Sequence, residues 1–600
     1  MASPHNSESR RTAGLSRLSI AAGAVVFFGA LLPLVAAAAL NDRPLAPAAA
    51  VATHPPMLAH GATAASPTVR VAPVVSDTGY VISSDVVVRN CGACHARDDT
   101  GRMGRISYLR KTPEGWQTSI RRMVSLHGVN LQPDAASEVL RYLANTQGLA
   151  PEELSPGLFE VERRMDPFSF ADGDTEETCT ACHSMGRIIT QRRASEEWEL
   201  LIATHRALFP LVDRQIFFDG GSNGDSRHPV ERAVAHLSER YPLETPEWSA
   251  WSANLRPARI EGVWALSGRE PGRGRVFGTV EIQPAQGARD EFTTTARYVY
   301  GQDGTAVQRT GEGLVYTGYQ WRGRSTDSTG AGDLREVMSV ERGWEAIRGR
   351  WFRGAHDEFG LDVTLERVSG DPVLTGIEPY ALRAGQRAQE VRVFGANLPS
   401  TLAPESVDLG PGIRVTDVVS ASPESALLTV ELEPDARVGA RDAFVDGVTL
   451  TDALVLYDRV DALRVTPANG MARIGGEVVP RQYQQFEAIG YQAGPDGESG
   501  TDDDLELGPV PVEWSIEEYP VTYEDDDVRF VGQIDERGLF TPNVDGPNPE
   551  RSNNRNNMGE VWAVATYADP SDSEARVLQA RAYLIVTAPI HLRWEQWPTQ

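Results

Sequence analysis

The sequence predicts a multidomain chain with two textures. An N-terminal all-α region is built from two tandem copies of one unit. An all-β remainder follows, consisting of an antiparallel β-barrel and two immunoglobulin-like β-sandwiches. Three observations predict this. The segments that begin at Cys91 and Cys179 repeat one another. Apolar residues at helical spacing prevail up to about Pro246, and short alternating runs separated by Gly, Asp and Pro prevail after it. Finally, 600 residues are too many for one core, so several domains are expected.

The elements follow in chain order. Arg10, Arg11 and Arg17 form a charged start, and Leu18 to Leu40 is an uncharged run ending in Ala36-Ala37-Ala38-Ala39. This reads as an export signal over 1–39, with small residues for a signal peptidase. The run is long for a signal, and an uncleaved anchor is the competing reading. Residues 40–77 are rich in Ala and Pro and read as a spacer. No stable membrane insertion is expected once the signal is cleaved. The net charge of −26 argues against nucleic acid as a partner, because phosphate binding needs basic surface.

All four cysteines lie in two motifs: Cys91-x-x-Cys94-His95 and Cys179-x-x-Cys182-His183. C-x-x-C-H is the attachment signature of a c-type haem. Two thiols reach the two vinyl groups of one porphyrin, and the adjacent imidazole becomes the proximal iron ligand. Two disulfides, a thioredoxin-type redox pair and a four-cysteine zinc site are the alternatives. The redox pair lacks its strand–helix context, and zinc would leave both histidines unexplained. Two covalently attached haem c groups are therefore expected.

The repeat continues beyond the motifs. Met103-Gly104-Arg105-Ile106 matches Met185-Gly186-Arg187-Ile188, Arg110 matches Arg192, Glu114 matches Glu196 and Trp116 matches Trp198. Each copy then carries a final helix. Pro133 opens one with Ala136, Val139, Leu140 and Leu143 on a stripe before Gly148. Pro229 opens the other with Val230, Ala233, Val234, Leu237 and Tyr241. Each unit thus reads as helix, haem motif, loop, tryptophan-bearing helix and final helix. The expectation is a tandem dihaem cytochrome c domain over 78–250, with repeats 78–150 and 155–250. A distal ligand should come from the same place in both copies. Seven residues beyond Trp116 stands Met123, and seven beyond Trp198 stands His205. Sulfur and imidazole are the usual sixth ligands of low-spin c-type haems. The expected pairs are His95 with Met123 and His183 with His205, the methionine-ligated haem having the higher potential. Met123 as core packing, and His127 one turn further on, remain open alternatives. Met103 and Met185 stand close to the motifs, and His228 and His236 read as exposed helix residues.

After Pro246, "RVFGTVEI", "TTTARYVY", "GLVYTGYQW" and "FGLDVTLERV" alternate or nearly so, with hairpin signals in "GQDGT" and "STGAGD". They predict an antiparallel barrel over 258–370. "QEVRVFGANLP", "ALLTVELEP" and "DALVLYD" predict an immunoglobulin-like sandwich over 371–460, and "EVWAVATYA" and "ARAYLIVTA" close a second one over 461–588. The tail 589–600 carries two tryptophans. The acidic segment "GPDGESGTDDDLELG" could hold calcium, although its spacing is not that of an EF-hand and solvated loops are commonly acidic.

With its two motifs, the segments "GWQTSIRRM" and "EEWELLIATHRALFP", this domain order and the acidic segment, the chain resembles the α subunit of quinohemoprotein amine dehydrogenase. The resemblance implies a periplasmic αβγ heterotrimer. Its γ subunit carries a protein-derived cysteine tryptophylquinone that oxidises primary amines, and its β subunit is a propeller. The α subunit would pass electrons through two haems to a soluble acceptor, a small copper protein or cytochrome c. No catalytic residue is expected on this chain itself. A dihaem peroxidase, or another dihaem electron-transfer protein, is the alternative. A peroxidase needs an iron with an open sixth position, and capping by Met123 and His205 speaks against that.

Overall fold

The computed structural model describes residues 77–588, except 155–169, 171, 181–184, 210–211, 213–224, 288, 328–331, 354–355, 386–387, 434, 477–479, 521–525 and 570–575. The expected signal, the spacer before residue 77 and the tail lie outside the described residues.

Each copy of the repeat places its helices in the same order. In the first, α1 (Asp85–Cys91), α2 (Pro113–His127) and α3 (Pro133–Thr146) follow one another. α4 (Pro151–Leu154) is a single turn between the copies. The second copy contributes α5 (Gly173–Thr180), α6 (Gly186–Ile189), α7 (Ser195–Leu208) and α8 (Pro229–Arg240), and α9 (Pro246–Ala253) leads out. The ends are set by local chemistry. Thr112 caps α2, its Oγ1 accepting from Gly115 N at 3.2 Å, and Pro113 takes the first-turn position where no backbone donor is needed. Gly128, at φ 66°, closes the helix by donating to the Met123 carbonyl. His228 caps α8, Nδ1 accepting from Val230 N at 3.2 Å, a capping role its sequence does not announce.

The all-α expectation for 78–250 is corrected. Strands β1 (Leu109–Lys111) and β2 (Gln191–Arg193) pair antiparallel, Leu109 opposite Arg193 and Lys111 opposite Gln191, and stitch the two copies together. Three-residue strands rich in Arg and Lys give no alternating signal, and their pairing is between distant segments, so no local pattern shows it. Over the described residues strand outweighs helix, 44% against 21%.

A closed barrel follows, from β3 (Gly262–Glu270), β4 (Gly274–Pro284), β5 (Glu291–Tyr300), β6 (Ala306–Tyr316), β7 (Gln320–Asp327), β8 (Asp333–Val340), β9 (Ala346–Arg353) and β10 (His356–Arg367). β10 closes it by pairing with both neighbours, Leu365 opposite Leu266 on one side and Ile347 on the other. Trp264, Trp321 and Trp351 are buried in its core, so the interior is packed with side chains. Leu149 and Leu154, from the segment after α3, belong to the same core. Tyr319 donates its hydroxyl to the Leu149 carbonyl at 3.0 Å, and Trp251 Nε1 donates to the Thr317 carbonyl at 3.0 Å. The helical region is thus mounted on the barrel. Gly148 serves this mount, while Gln147 caps α3. A Cβ at Gly148 would stand 2.5 Å from Thr317 Cγ2.

Beyond the barrel, residues 373–457 form two four-stranded sheets around one core that includes Val391, Val393, Leu428 and Leu454. Residues 462–587 form three sheets, of three, four and three strands, instead of the two-sheet sandwich expected there. The longest pair, Gly559–Ala568 with Val577–Thr587, carries the alternation read from sequence. The short strands Gln484–Gln485, Gly532–Ile534 and Leu539–Pro542 make the extra sheet, too brief to show a pattern.

Candidate haem-binding sites

In the first copy, α1 runs directly into the motif. Ser84 Oγ accepts from Val87 N at 3.3 Å and starts the helix, and the turn continues past its end: His95 N donates to the Cys91 carbonyl at 2.9 Å and Cys94 N to the same oxygen at 3.2 Å. This winding puts both cysteines and the histidine of the motif on one compact turn. Cys91 is half-buried against Val87, Met103, Ile106 and Trp116, whereas Cys94 is exposed. Burial, then the neighbouring Cys94, pushes the Cys91 thiol up. None of the described cysteines, Cys91, Cys94 and Cys179, is in a disulfide.

The His95 ring is oriented from behind. Its Nδ1 lies 2.9 Å from the Gly104 carbonyl. A carbonyl can only accept, so Nδ1 carries the proton and Nε2 keeps its lone pair, the tautomer an iron ligand needs. His205 on α7 repeats the arrangement, with Nδ1 2.8 Å from the Leu201 carbonyl. Burial lowers the His205 pKa and so favours the neutral ring, outweighing the hydrogen bond to Leu201, which acts in the opposite direction.

In the second copy, Cys179 lies on α5 and packs against a core of Phe170, Met185, Ile188, Ile189, Trp198 and Leu237. Cys182 and His183 lie outside the described residues. Cys179 and His205 line the same open cleft, which encloses about 1080 Å³ of free space with its solvent-filled mouth included. Ile188, Trp198, Leu201 and Ile202 supply apolar wall. The cleft therefore has the thiol, the imidazole and the hydrophobic lining that a porphyrin requires, and the residues fit the group.

Helix α2 is the wall shared by the two copies. Gly115, Thr118, Ser119 and Arg122, one stripe at helical spacing, line the second-copy cleft. Trp116 and Ile120 pack instead with Cys91 in the first-copy core. Met123 follows Trp116 and Ile120 at i+7 and i+3 and is half-buried, while His127, on the last turn, is exposed. Met103 and Met185 are buried in the two cores, at 0% and 2% exposure. His236 stands beside Asp172, at 3.8 Å, and the Phe170 ring.

The pseudo-symmetry extends to the supports. Trp116 Nε1 donates to the Gln147 carbonyl at 3.0 Å and Trp198 Nε1 to the Tyr241 carbonyl at 3.2 Å, in each copy the residue that caps the final helix. Lys111 lies over the Trp116 ring and Arg193 over the Trp198 ring, at 5.6 and 5.5 Å. On one face of the β1–β2 ribbon, Arg110 grips Glu153 with two bonds of 2.8 Å and Arg192 reaches the same carboxylate at 3.2 Å. Burial raises the Glu153 pKa, but the two guanidiniums win and hold it at about 2. Arg110 and Arg192 are equivalent positions of the repeat, whereas the glutamate they share has no counterpart in the other copy. At the start of α2, Glu114 takes Arg322 Nη2 and Arg335 Nη2 from the barrel, both at 3.1 Å. Its carboxyl is lifted by burial and brought down to about 2 by these two cations.

In the acidic segment, Gly500 N donates to Asp504 Oδ2 at 2.7 Å and Thr501 Oγ1 to Asp503 Oδ1 at 2.7 Å, so its carboxylates shape their own turn. Among the described residues no cluster of three or more His, Cys, Asp or Glu side chains is arranged to hold a metal ion, and no helix is long and apolar enough to cross a membrane.

Four family descriptions match successive parts of the chain. They are "Quinohemoprotein amine dehydrogenase A, alpha subunit, haem binding" over residues 81–248, and alpha subunit domain II over 257–368, domain III over 371–458 and domain IV over 463–599. No curated protein matches. Among solved structures, a redesigned β-barrel is similar at 16% identity and a TM-score of 0.16, over 18% of this chain and 92% of its own. A de novo designed fluorescence-activating β-barrel is similar at 21% identity and a TM-score of 0.15, over 20% of this chain and 97% of its own. Likenesses this slight carry no argument.

Proposed function

Because the chain belongs to the quinohemoprotein amine dehydrogenase alpha-subunit family, we propose that it is the electron-transferring subunit of a periplasmic primary-amine dehydrogenase. Cys91 and Cys94 hold one haem c and Cys179 and Cys182 the other. His95 and His183 are the proximal ligands, with Met123 and His205 opposite them. When bound, each haem supplies one-electron exchange between Fe(III) and Fe(II).

The chain's own residues hold and orient. The Gly104 and Leu201 carbonyls fix the His95 and His205 tautomers. The apolar cores around Trp116 and Trp198 exclude water, and α2 contributes one face to the first-copy core and another to the second-copy cleft. Oxidising R–CH2–NH2 with water to R–CHO and NH3 releases two electrons and two protons. Two one-electron stations match that stoichiometry. All four cysteines of this chain sit in haem motifs, so the cysteine tryptophylquinone that accepts those electrons belongs to the γ subunit. The β subunit completes the complex, and a small copper protein or cytochrome c takes the electrons onward. Export by the N-terminal signal brings the chain to the compartment where c-type haems are attached.

The observation that carries this reading is the placement of Cys179 and His205 on one cleft within a region matched as haem-binding. Met123→Ala and His205→Ala test the ligand set. Each variant is expected to lose the low-spin spectrum of one haem and keep that of the other. Two wild-type low-spin haems in both variants would overturn the assignment.

A further inference from the structure

The β1–β2 ribbon has a second face. Lys111 and Arg193 project from the side opposite Arg110 and Arg192, since side chains alternate along a strand, and both line the cleft that holds Cys179 and His205. They are 7% and 4% exposed. Arg122 and Arg187 line the same cleft. Burying like charges together is unfavourable unless a counter-charge arrives. The nearby carboxylates are largely committed elsewhere. Glu114 is held by Arg322 and Arg335. Glu197 is shared between Arg105, at 2.7 Å, and Arg193, at 3.9 Å, and Arg193 Nε donates to the neutral Gln191 Oε1 at 2.8 Å. Lys111 Nζ is held in place by Ser119 Oγ at 2.7 Å, a neutral partner.

We propose that Lys111 and Arg193 form the anion subsite for the two propionates of the haem attached through Cys179, and that their charge sets its potential by favouring the ferrous form. This rests on the dihaem reading above. Haem is a dianion at its propionate edge, and two cations on one ribbon face supply matching charge within a largely apolar cleft. Burial, followed by the arginines around it, pulls the Lys111 ammonium well below its ordinary pKa, and burial brings Arg193 down to about 9. Both shifts record the cost of burying these cations beside one another. Lys111 and Arg193 are positioning residues here and touch no iron.

The test is a spectroscopic redox titration of the full-length holoprotein carrying Lys111→Gln, beside Lys111→Arg and Arg193→Gln. The expected result is a fall in one midpoint by about 59 mV, a tenfold change in a one-electron equilibrium. The other haem stays unmoved, both low-spin spectra are retained, and Lys111→Arg restores the wild-type value. Unchanged midpoints in Lys111→Gln and Arg193→Gln would overturn the proposal. If the neutral variants fail to load haem, the resonance Raman propionate-bending bands of the wild-type holoprotein decide it. A hydrogen-bonded propionate that shifts in Lys111→Arg supports the subsite, and bands identical in the two proteins refute it. A haem count below two in the wild type would instead remove the dihaem reading itself.

Discussion

Glu153 is the residue on which the two copies of the repeat converge. Arg110 and Arg192, equivalent in sequence, meet on its carboxylate beneath the ribbon. Removing one member of a buried charge network strands the others, so Glu153→Ala is expected to cost about 3–5 kcal/mol in chemical denaturation. The folded carboxyl has a pKa of about 2 against an ordinary value of 4.5. Its contribution is therefore complete above pH 4.5 and is lost as the pH falls from 4.5 through 2. An unfolding midpoint that drops more steeply across that window in wild type than in Glu153→Ala, where Glu114 still titrates, is the expected signature. At this scale the sequence was partly readable. The C-x-x-C-H motifs and the paired positions of Met123 and His205 stand out because they repeat. The carboxylate that joins Arg110 to Arg192 does not repeat, so alignment of the copies passes over it.

Among the elements, the helices are readable and the short strands are not. Pro113, Pro133 and Pro229 each open a helix, because proline costs nothing where the first backbone donors have no partner. β1 and β2 exist through tertiary pairing alone, which is why an all-α region was expected where a mixed one forms. The equivalent tryptophans tie each helix pair. Trp116→Phe and Trp198→Phe each remove a buried indole hydrogen bond and are expected to lower stability by about 1 kcal/mol, read by thermal melting of the holoprotein. At the end of α2, Gly128 occupies φ 66°, so Gly128→Ala is expected to cost about 1 kcal/mol and to disturb the low-spin spectrum of the haem proposed to use Met123.

In the whole molecule, the barrel is the rigid block on which the helical region is carried. Its core takes in Leu149 and Leu154, and Arg322 and Arg335 clamp Glu114 at the start of α2, the helix shared by both sites. Glu114→Gln is expected to speed proteolysis between Ala253 and Gly262, with the barrel fragment itself surviving. The boundary between helical and strand-rich texture is visible in the sequence because periodicity changes from 3.6 to 2. The division of 462–587 into three sheets is not, because its extra strands are only two to four residues long. The proposed role of this chain is to draw electrons from a partner that oxidises amines. The most direct measurement is to purify the native protein by its haem absorbance, weigh every chain that travels with it, and add a primary amine. A co-purifying small chain with a quinone cross-link, and reduction of both haems by the amine, is the predicted result. A lone haem-bearing chain that ignores amines and turns over peroxide would contradict it.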